Sequence, residues 1–96
     1  MSADILAAKM AELSARFAAR AADERAGLLA AVERGDRVAI ETQAHKLAGI
    51  AQMFGYPEIG DAAARLEEAA MAGEDVTPAA TRLDRLLVAL IEAPAA

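Results

Sequence analysis

The sequence contains no cysteine and no tryptophan, and it has only one histidine, one tyrosine and two phenylalanines among its 96 residues. Without cysteine, neither a disulfide framework nor a thiolate metal site can form. The formal net charge of −5 has the wrong sign for a nucleic-acid surface, and the sparse aromatics offer little for base stacking. We therefore expect no nucleic-acid partner, and no metal or cofactor bound by this chain.

Long apolar runs are missing as well. Alanine, with 28 residues, accounts for much of the apolar composition, but the longest uncharged stretch near the middle covers only residues 47–57. A membrane-spanning helix needs roughly 20 apolar residues, and acidic residues appear too early at the N-terminus for a secretory signal. We expect a cytoplasmic protein without a membrane partner. The length predicts a single domain over residues 1–96, and the first methionine and the "EAPAA" end favour a free-standing chain.

Apolar residues recur at helical spacing, and no segment shows the strict alternation of a strand. In the first segment, which Ser2 or Asp4 can cap, a bend or restart is expected near residues 22–23. The apolar positions of that segment follow a 4-3-4 spacing: Leu6, Met10, Leu13 and Phe17.

Glycines and prolines mark the later boundaries. Pro57 and Pro78 stand at first-turn positions of helices, and Asp36 and Thr77 are the expected N-caps. The expected helix stops are Gly35, Gly55 and Gly73. Short connections between amphipathic helices favour antiparallel neighbours. The sequence thus predicts an all-α fold, a small antiparallel bundle of four or five helical segments, in which the extra segment would be a short or bent additional N-terminal helix.

The single histidine falls on the outer face of the second predicted helix, residues 37–54. With about 100° per residue, His45 lies about 140° from the core side and Gly49 about 180°. Glycine inside a helix costs about 1 kcal/mol relative to alanine, so a glycine one turn from an outward imidazole indicates a bare patch that a partner can approach. The core side is defined by Ile40, Ala44, Leu47, Ala51 and Phe54.

Apolar residues rim this patch, since Val38 lies on the outer face and Met53 at its margin. The candidate docking residues around His45 are Val38, Lys46, Ala48, Gly49, Gln52 and Met53. An ordinary explanation stays open, because an exposed lone histidine is usually only a solvated side chain and a helix glycine can be incidental.

Glu67 is the second candidate site residue. It flanks the buried stripe of the third predicted helix, and the residues three and four positions away are all uncharged: Ala63, Ala64, Ala70 and Met71. Without a partner on its own helix, its carboxylate can reach the neighbouring helix and accept a hydrogen bond from one imidazole nitrogen, leaving the other as a nucleophile. A boundary glutamate with its carboxylate in water is the other interpretation.

The segment "AHKLAGIAQMFGYPEIGDAAARLE" resembles the signature of histidine-containing phosphotransfer (HPt) domains of two-component phosphorelays. The resemblance implies a four-helix bundle in which His45 accepts a phosphoryl group from a receiver-domain aspartate of a response regulator, or from a histidine kinase, and passes it to another receiver. Gly49 would be the family glycine that admits the receiver, and Glu67 matches a glutamate or glutamine that some relatives hydrogen-bond to the histidine. The chain would be a monomeric carrier and not an enzyme, with Mg²⁺ supplied by the receiver.

Two positions depart from the family pattern. Ala48 stands where many members have a lysine that helps attract the phosphoryl group, so that role is in doubt, and Lys46 lies on another flank of the helix. Ile50 stands where many members have a small residue.

Two other functions remain as alternatives. The phosphoacceptor domain of a histidine kinase typically has an acidic residue and soon a proline after its histidine, whereas here Lys46 follows and the first proline is Pro57. A helical adaptor in which His45 is incidental is the second alternative.

Overall fold

Four helices make up the fold of the protein in a computed structural model that describes residues 2–93. In chain order they are α1 (Ala3–Arg34), α2 (Arg37–Met53), α3 (Pro57–Met71) and α4 (Thr77–Glu92). The described part of the chain contains no strand. The prediction of an all-α four-helix bundle is therefore confirmed, and the single domain over residues 1–96 stays a prediction.

Pairs of side chains across the helices show their relative direction. Going along α2 from Arg37 to His45 and Gln52, the partners on the α3 side run backwards from Glu74 to Glu67 and Asp61. The two helices are therefore antiparallel. Only a short turn separates them, as expected for neighbours in a bundle.

The turn between α1 and α2 is built by a glycine and an aspartate. Gly35 has φ 64°, in the left-handed region, and its N–H donates to the Val32 carbonyl at 3.0 Å. Asp36 then caps α2, because its carboxylate accepts the Ala39 N–H at 3.1 Å. Both are helix-end devices that stabilise otherwise unsatisfied backbone groups.

Two boundaries differ from the sequence-based expectation. The helix α1 does not restart near residues 22–23 but continues from Ala3 to Arg34, with Ser2 as its cap. Neither proline nor glycine interrupts it there, and the alanine-rich sequence favours continuation. Thr77 is the first residue of α4 and not its cap. Its N–H donates to Asp75 Oδ1 at 3.0 Å, and this bond lowers the pKa of the Asp75 carboxyl below its ordinary value.

Small residues allow the helices to pack closely. Ala44 and Ala51 on α2 and Ala63 on α3 are fully buried, and α2 and α3 make the most extensive contact of any helix pair. The largest fully buried side chains of the core are Ile40, Leu47, Leu66, Leu83 and Leu87. Close packing of α2 on α3 brings their outer edges together, which matters for the site described below.

Side-chain contacts also fix α1 against the rest of the bundle. Arg25 donates to Asp84 on α4 through Nε at 2.6 Å and Nη2 at 3.3 Å, and this carboxylate raises the pKa of the Arg25 guanidinium. Near the α2–α3 turn, the Tyr56 ring stacks on Phe17 with centroids 5.0 Å apart. None of the helices within residues 2–93 is long and apolar enough to cross a membrane.

Candidate functional site

His45 projects from the middle of α2 into solvent, with 76% of its side chain exposed. Its orientation follows from the helix period, because the residues that flank it on the inner face, Ala44 and Leu47, are fully buried. The imidazole is therefore carried by a rigid element whose other face is anchored in the core.

Glu67 approaches the imidazole from α3, and its Oε2 lies 2.7 Å from His45 Nδ1. Only 21% of the Glu67 side chain is exposed, so the carboxylate is partly sheltered between the helices. An ionised carboxylate can only accept hydrogen bonds. Nδ1 therefore carries the proton in this arrangement, and the lone pair of Nε2 is left facing solvent.

The neighbouring Glu68 provides an internal comparison. Its side chain is 70% exposed and lies 3.7 Å from Arg65 on the same helix. The two consecutive glutamates thus have different environments, one paired along its own helix and one directed to the histidine of α2.

Gly49 lies one turn beyond His45 on the exposed surface of α2. A Cβ atom added there would meet nothing within 4 Å among the described residues. The packing of the bundle therefore does not require glycine at this position. Gly60 differs in this respect, because a Cβ there would come within 2.6 Å of Gln52 Nε2, so that glycine makes room for the Gln52 side chain.

Most of the other candidate docking residues are exposed, but one of them is hydrogen-bonded to α3 and one is half-buried. Val38 and Met53 are 75% and 69% exposed, and Lys46 is exposed as well. Gln52 is exposed, and its Nε2 donates to Asp61 Oδ1 at 3.0 Å. Ala48, by contrast, is half-buried and packs against the core, so it contributes less to the accessible surface than the others.

Two residues that line the site, and one exposed residue on the helix face of Glu67, were missed by the sequence reasoning. Glu41 and Thr42 line a shallow depression together with His45 and Glu67, and Met71 is 64% exposed. The signal was available, since Glu41 is four residues before His45 and Met71 four residues after Glu67. Residues four apart share a helix face, so each of these residues could be placed on the face of His45 or of Glu67. That the two faces form one surface follows only from the contact between His45 and Glu67.

The arrangement suits nucleophilic attack by Nε2 on a group delivered from outside. The ring is oriented by Glu67, solvent reaches the second nitrogen, and the absence of a side chain at Gly49 leaves room beside it. Within residues 2–93, no group of three or more histidine or acidic side chains is placed to hold a metal ion.

Comparison with known proteins gives one match, to a family model. No curated protein and no solved structure matches the sequence significantly. The family model of the Hpt domain matches residues 12–95, which include α2, α3 and the whole candidate site. With most of its length matched, the chain belongs to the family of Hpt domains, the histidine phosphotransfer domains of two-component phosphorelays.

Proposed function

We propose that this chain carries a phosphoryl group on Nε2 of His45 and exchanges it with the receiver domains of response regulators, with a histidine kinase as a further possible donor. Members of the Hpt family act as phosphoryl carriers in two-component relays. The observation that carries the assignment to His45 is the bond between Nδ1 and Glu67 at 2.7 Å on an otherwise solvent-exposed ring.

The transfer step follows from this geometry. The Nε2 lone pair attacks the phosphorus of a receiver aspartyl-phosphate, the N–P bond forms, and the P–O bond to the aspartate breaks so that the carboxylate leaves. The Nδ1 proton stays on the ring, and the positive charge that develops on the imidazole is stabilised by the Glu67 carboxylate. The same step in reverse passes the phosphoryl group from His45 to the aspartate of a second receiver.

The receiver has to supply the rest of the catalytic machinery. Phosphoryl transfer depends on positioning and on neutralisation of the phosphoryl oxygens, and we place the Mg²⁺ and its acidic ligands in the receiver domain. This chain is then a carrier and not an enzyme by itself, and its relay belongs in the cytoplasm. Lys46 is the exposed cation closest in sequence to His45, whereas the half-buried Ala48 offers none.

The docking surface is the exposed strip of α2 and the facing edge of α3. Gly49 lets the receiver approach the ring, while Val38, Met53 and Met71 provide exposed apolar contacts at its margins. A surface of this kind, apolar at the rim and polar around the reacting group, suits a transient partner.

The assignment is tested by incubating the purified chain with a panel of phosphorylated receiver domains. We expect wild type to acquire a label that is labile in acid and stable in base, and His45→Gln to acquire none. Arg82→Gln, on exposed α4, serves as the matched control and should be labelled like wild type.

Two results would contradict the proposal. One is a label that persists in folded His45→Gln. The other is a folded wild-type chain that takes no label from any receiver or kinase of the same cytoplasm, which would favour the adaptor function instead.

A further inference from the structure

The helix α1 is twice as long as its neighbours, with 32 residues against 17, 15 and 16 in α2, α3 and α4. At 1.5 Å per residue it is about 48 Å long, and the molecule extends 47 Å along its longest axis. One end of α1 therefore projects beyond the bundle.

Contacts along α1 show where the bundle ends. Ser14 Oγ donates to the carbonyl of Phe54, the C-cap of α2, at 3.0 Å. Arg25 pairs with Asp84, so the end of antiparallel α4 at Glu92 lies near the level of residue 17. We refer to residues 3–13 as the overhang, because no helix within the described residues 2–93 lies beside them.

The overhang carries an apolar stripe that is continuous with the core. Leu6 and Met10 are 55% and 41% exposed, whereas Phe17 on the same stripe is only 3% exposed. Below the overhang, α2 and α4 cover this stripe. The Hpt family match begins only at residue 12. The overhang is thus an addition to the bundle with an uncovered face.

We propose that the overhang of a second copy of this chain covers the stripe in an antiparallel, end-to-end dimer. Steric exclusion determines that the two overhangs run antiparallel. A parallel partner would bring its own bundle into the volume that α2 and α4 already occupy, whereas an antiparallel partner points its bundle away.

The spacing of the stripe is complementary to itself in this orientation. Ala3, Leu6, Met10 and Leu13 follow a 3-4-3 spacing, which reads the same in reverse. Two antiparallel copies therefore bring Leu6 opposite Met10 and Ala3 opposite Leu13, in the alternating layers of a two-stranded coiled coil. This is the symmetric type of contact that closes a two-fold dimer.

The overhang is long enough for its tip to contact the end of the partner's bundle, which adds this end to the interface. It is about 16 Å long, so its tip meets the end of the partner's bundle, where Ile91 is 41% exposed and Leu90 half-buried. The contact is nevertheless small, and interfaces below about 1,200 Å² are typically weak. The dimer is therefore concentration-dependent, and the monomer implied by the family resemblance is the form expected at low concentration.

The dimer leaves the histidine accessible. Gly27 of α1 lies against Gln43 of α2, so His45 is level with about residue 25, roughly 18 Å below the overhang. Dimerisation and phosphoryl transfer are therefore independent, and a failure of one does not bear on the other.

Sedimentation equilibrium from 5 µM to about 1 mM tests the proposal. We expect the wild-type mass to rise from 9.9 kDa towards twice that value, and the double variant Leu6→Glu, Met10→Glu to stay at the monomer mass. Met71→Glu, which also adds a charge at an exposed methionine but lies outside the overhang, should self-associate as wild type does. A wild-type chain that stays monomeric at about 1 mM, or a double variant that associates as wild type does, would overturn the proposal.

Spin labels test the orientation, since the chain has no native cysteine. A label on Ala15→Cys should lie about 20 Å from its symmetry mate along the axis, whereas a label on Glu74→Cys, at the far end of the bundle, should be far beyond that distance. Short distances at both positions would mean a side-by-side dimer and contradict the end-to-end arrangement.

Discussion

The importance of Glu67 lies in which ring nitrogen of His45 it contacts. Its carboxylate lies 2.7 Å from Nδ1, and in the proposed transfer this contact holds the proton on Nδ1 and leaves Nε2 as the nucleophile. The same contact limits rotation of a ring that is 76% exposed and would otherwise sample several rotamers. In the proposed function Glu67 is thus a positioning residue, which would act on the rate of transfer without touching the phosphoryl group.

We expect Glu67→Ala to slow phosphoryl transfer about tenfold, the lower end of the range for a lost hydrogen bond to a charged group, because the ring is exposed. Glu67→Gln keeps an acceptor and should lose less. Labelling rates at saturating receiver give the comparison, and ¹⁵N chemical shifts of the imidazole report the tautomer. Glu68→Ala is the matched control, and the role of Glu67 is refuted if both alanine variants transfer at the wild-type rate with unchanged tautomer.

In the proposed docking, Gly49 would contribute in the opposite way, by the absence of a side chain. We expect Gly49→Leu to fold normally, since an added Cβ meets no atom within 4 Å among the described residues, and to be more stable than wild type by up to about 1 kcal/mol. It should nevertheless transfer at least tenfold more slowly, because the side chain obstructs the receiver.

Denaturant unfolding and labelling rates measure these two effects on the same sample. Thr81→Leu, on the exposed surface of α4, is the control for an added apolar side chain. Normal transfer by Gly49→Leu would show that the open patch beside His45 is not needed for docking.

Single-residue features were predictable from the sequence to different degrees. The exposure of His45 follows from the helix period alone, because Ala44 and Leu47 must face the core. A contact between Glu67 and His45 was one of two interpretations of the sequence, and periodicity could not decide between them, since the contact depends on how far α2 slides along α3. That register is set by the packing of small residues such as Ala51 and Ala63, which no local pattern fixes.

Among the helices, the ends were the easiest to predict where backbone geometry demands one residue type. Gly35 with φ 64° and Asp36 with its bond to Ala39 both follow established end signals. The start of α4 was misassigned by one position, because Val76 stands at the N-cap and no side chain caps the helix there. The Thr77 N–H, at the first residue of the helix, donates instead to Asp75 Oδ1 at 3.0 Å.

The Asp75 bond predicts a pH dependence of stability. The pKa of Asp75 is lowered in the folded chain, first by the backbone N–H of Thr77, relative to about 3.9 in the unfolded chain. Its contribution is therefore fully present above about pH 4 and is lost as the pH falls through the lower folded value.

We expect Asp75→Asn to be less stable than wild type at pH 7, with a difference that shrinks as the pH falls below about 4. Denaturant unfolding at a series of pH values measures it. Asp23→Asn, at an exposed position on α1, controls for the loss of one negative charge. An Asp75→Asn deficit that is the same at pH 7 and in acid would contradict the assignment.

For the complete bundle, the composition and the helix periodicity were sufficient to predict four or five helical segments in antiparallel packing, and the resemblance to the Hpt signature gave the number of four that the structure shows. They did not predict that α1 would extend beyond the ends of the other helices. In the sequence, the apolar stripe of Leu6 and Met10 continues into the buried position Phe17 without a break. A periodic pattern shows which face is apolar, but the lengths of the other helices decide how much of that face is covered.

The bundle as a whole serves to hold the outer edges of α2 and α3 together, so that a ring on one meets a carboxylate on the other. The measurement that tests this most directly is ¹⁵N and ³¹P NMR of the phosphorylated chain, which identifies the imidazole nitrogen that carries phosphorus. We predict phosphorus on Nε2 of His45, with Nδ1 still protonated. Phosphorus on Nδ1, or a phosphorylated chain with an unmodified His45, would contradict it.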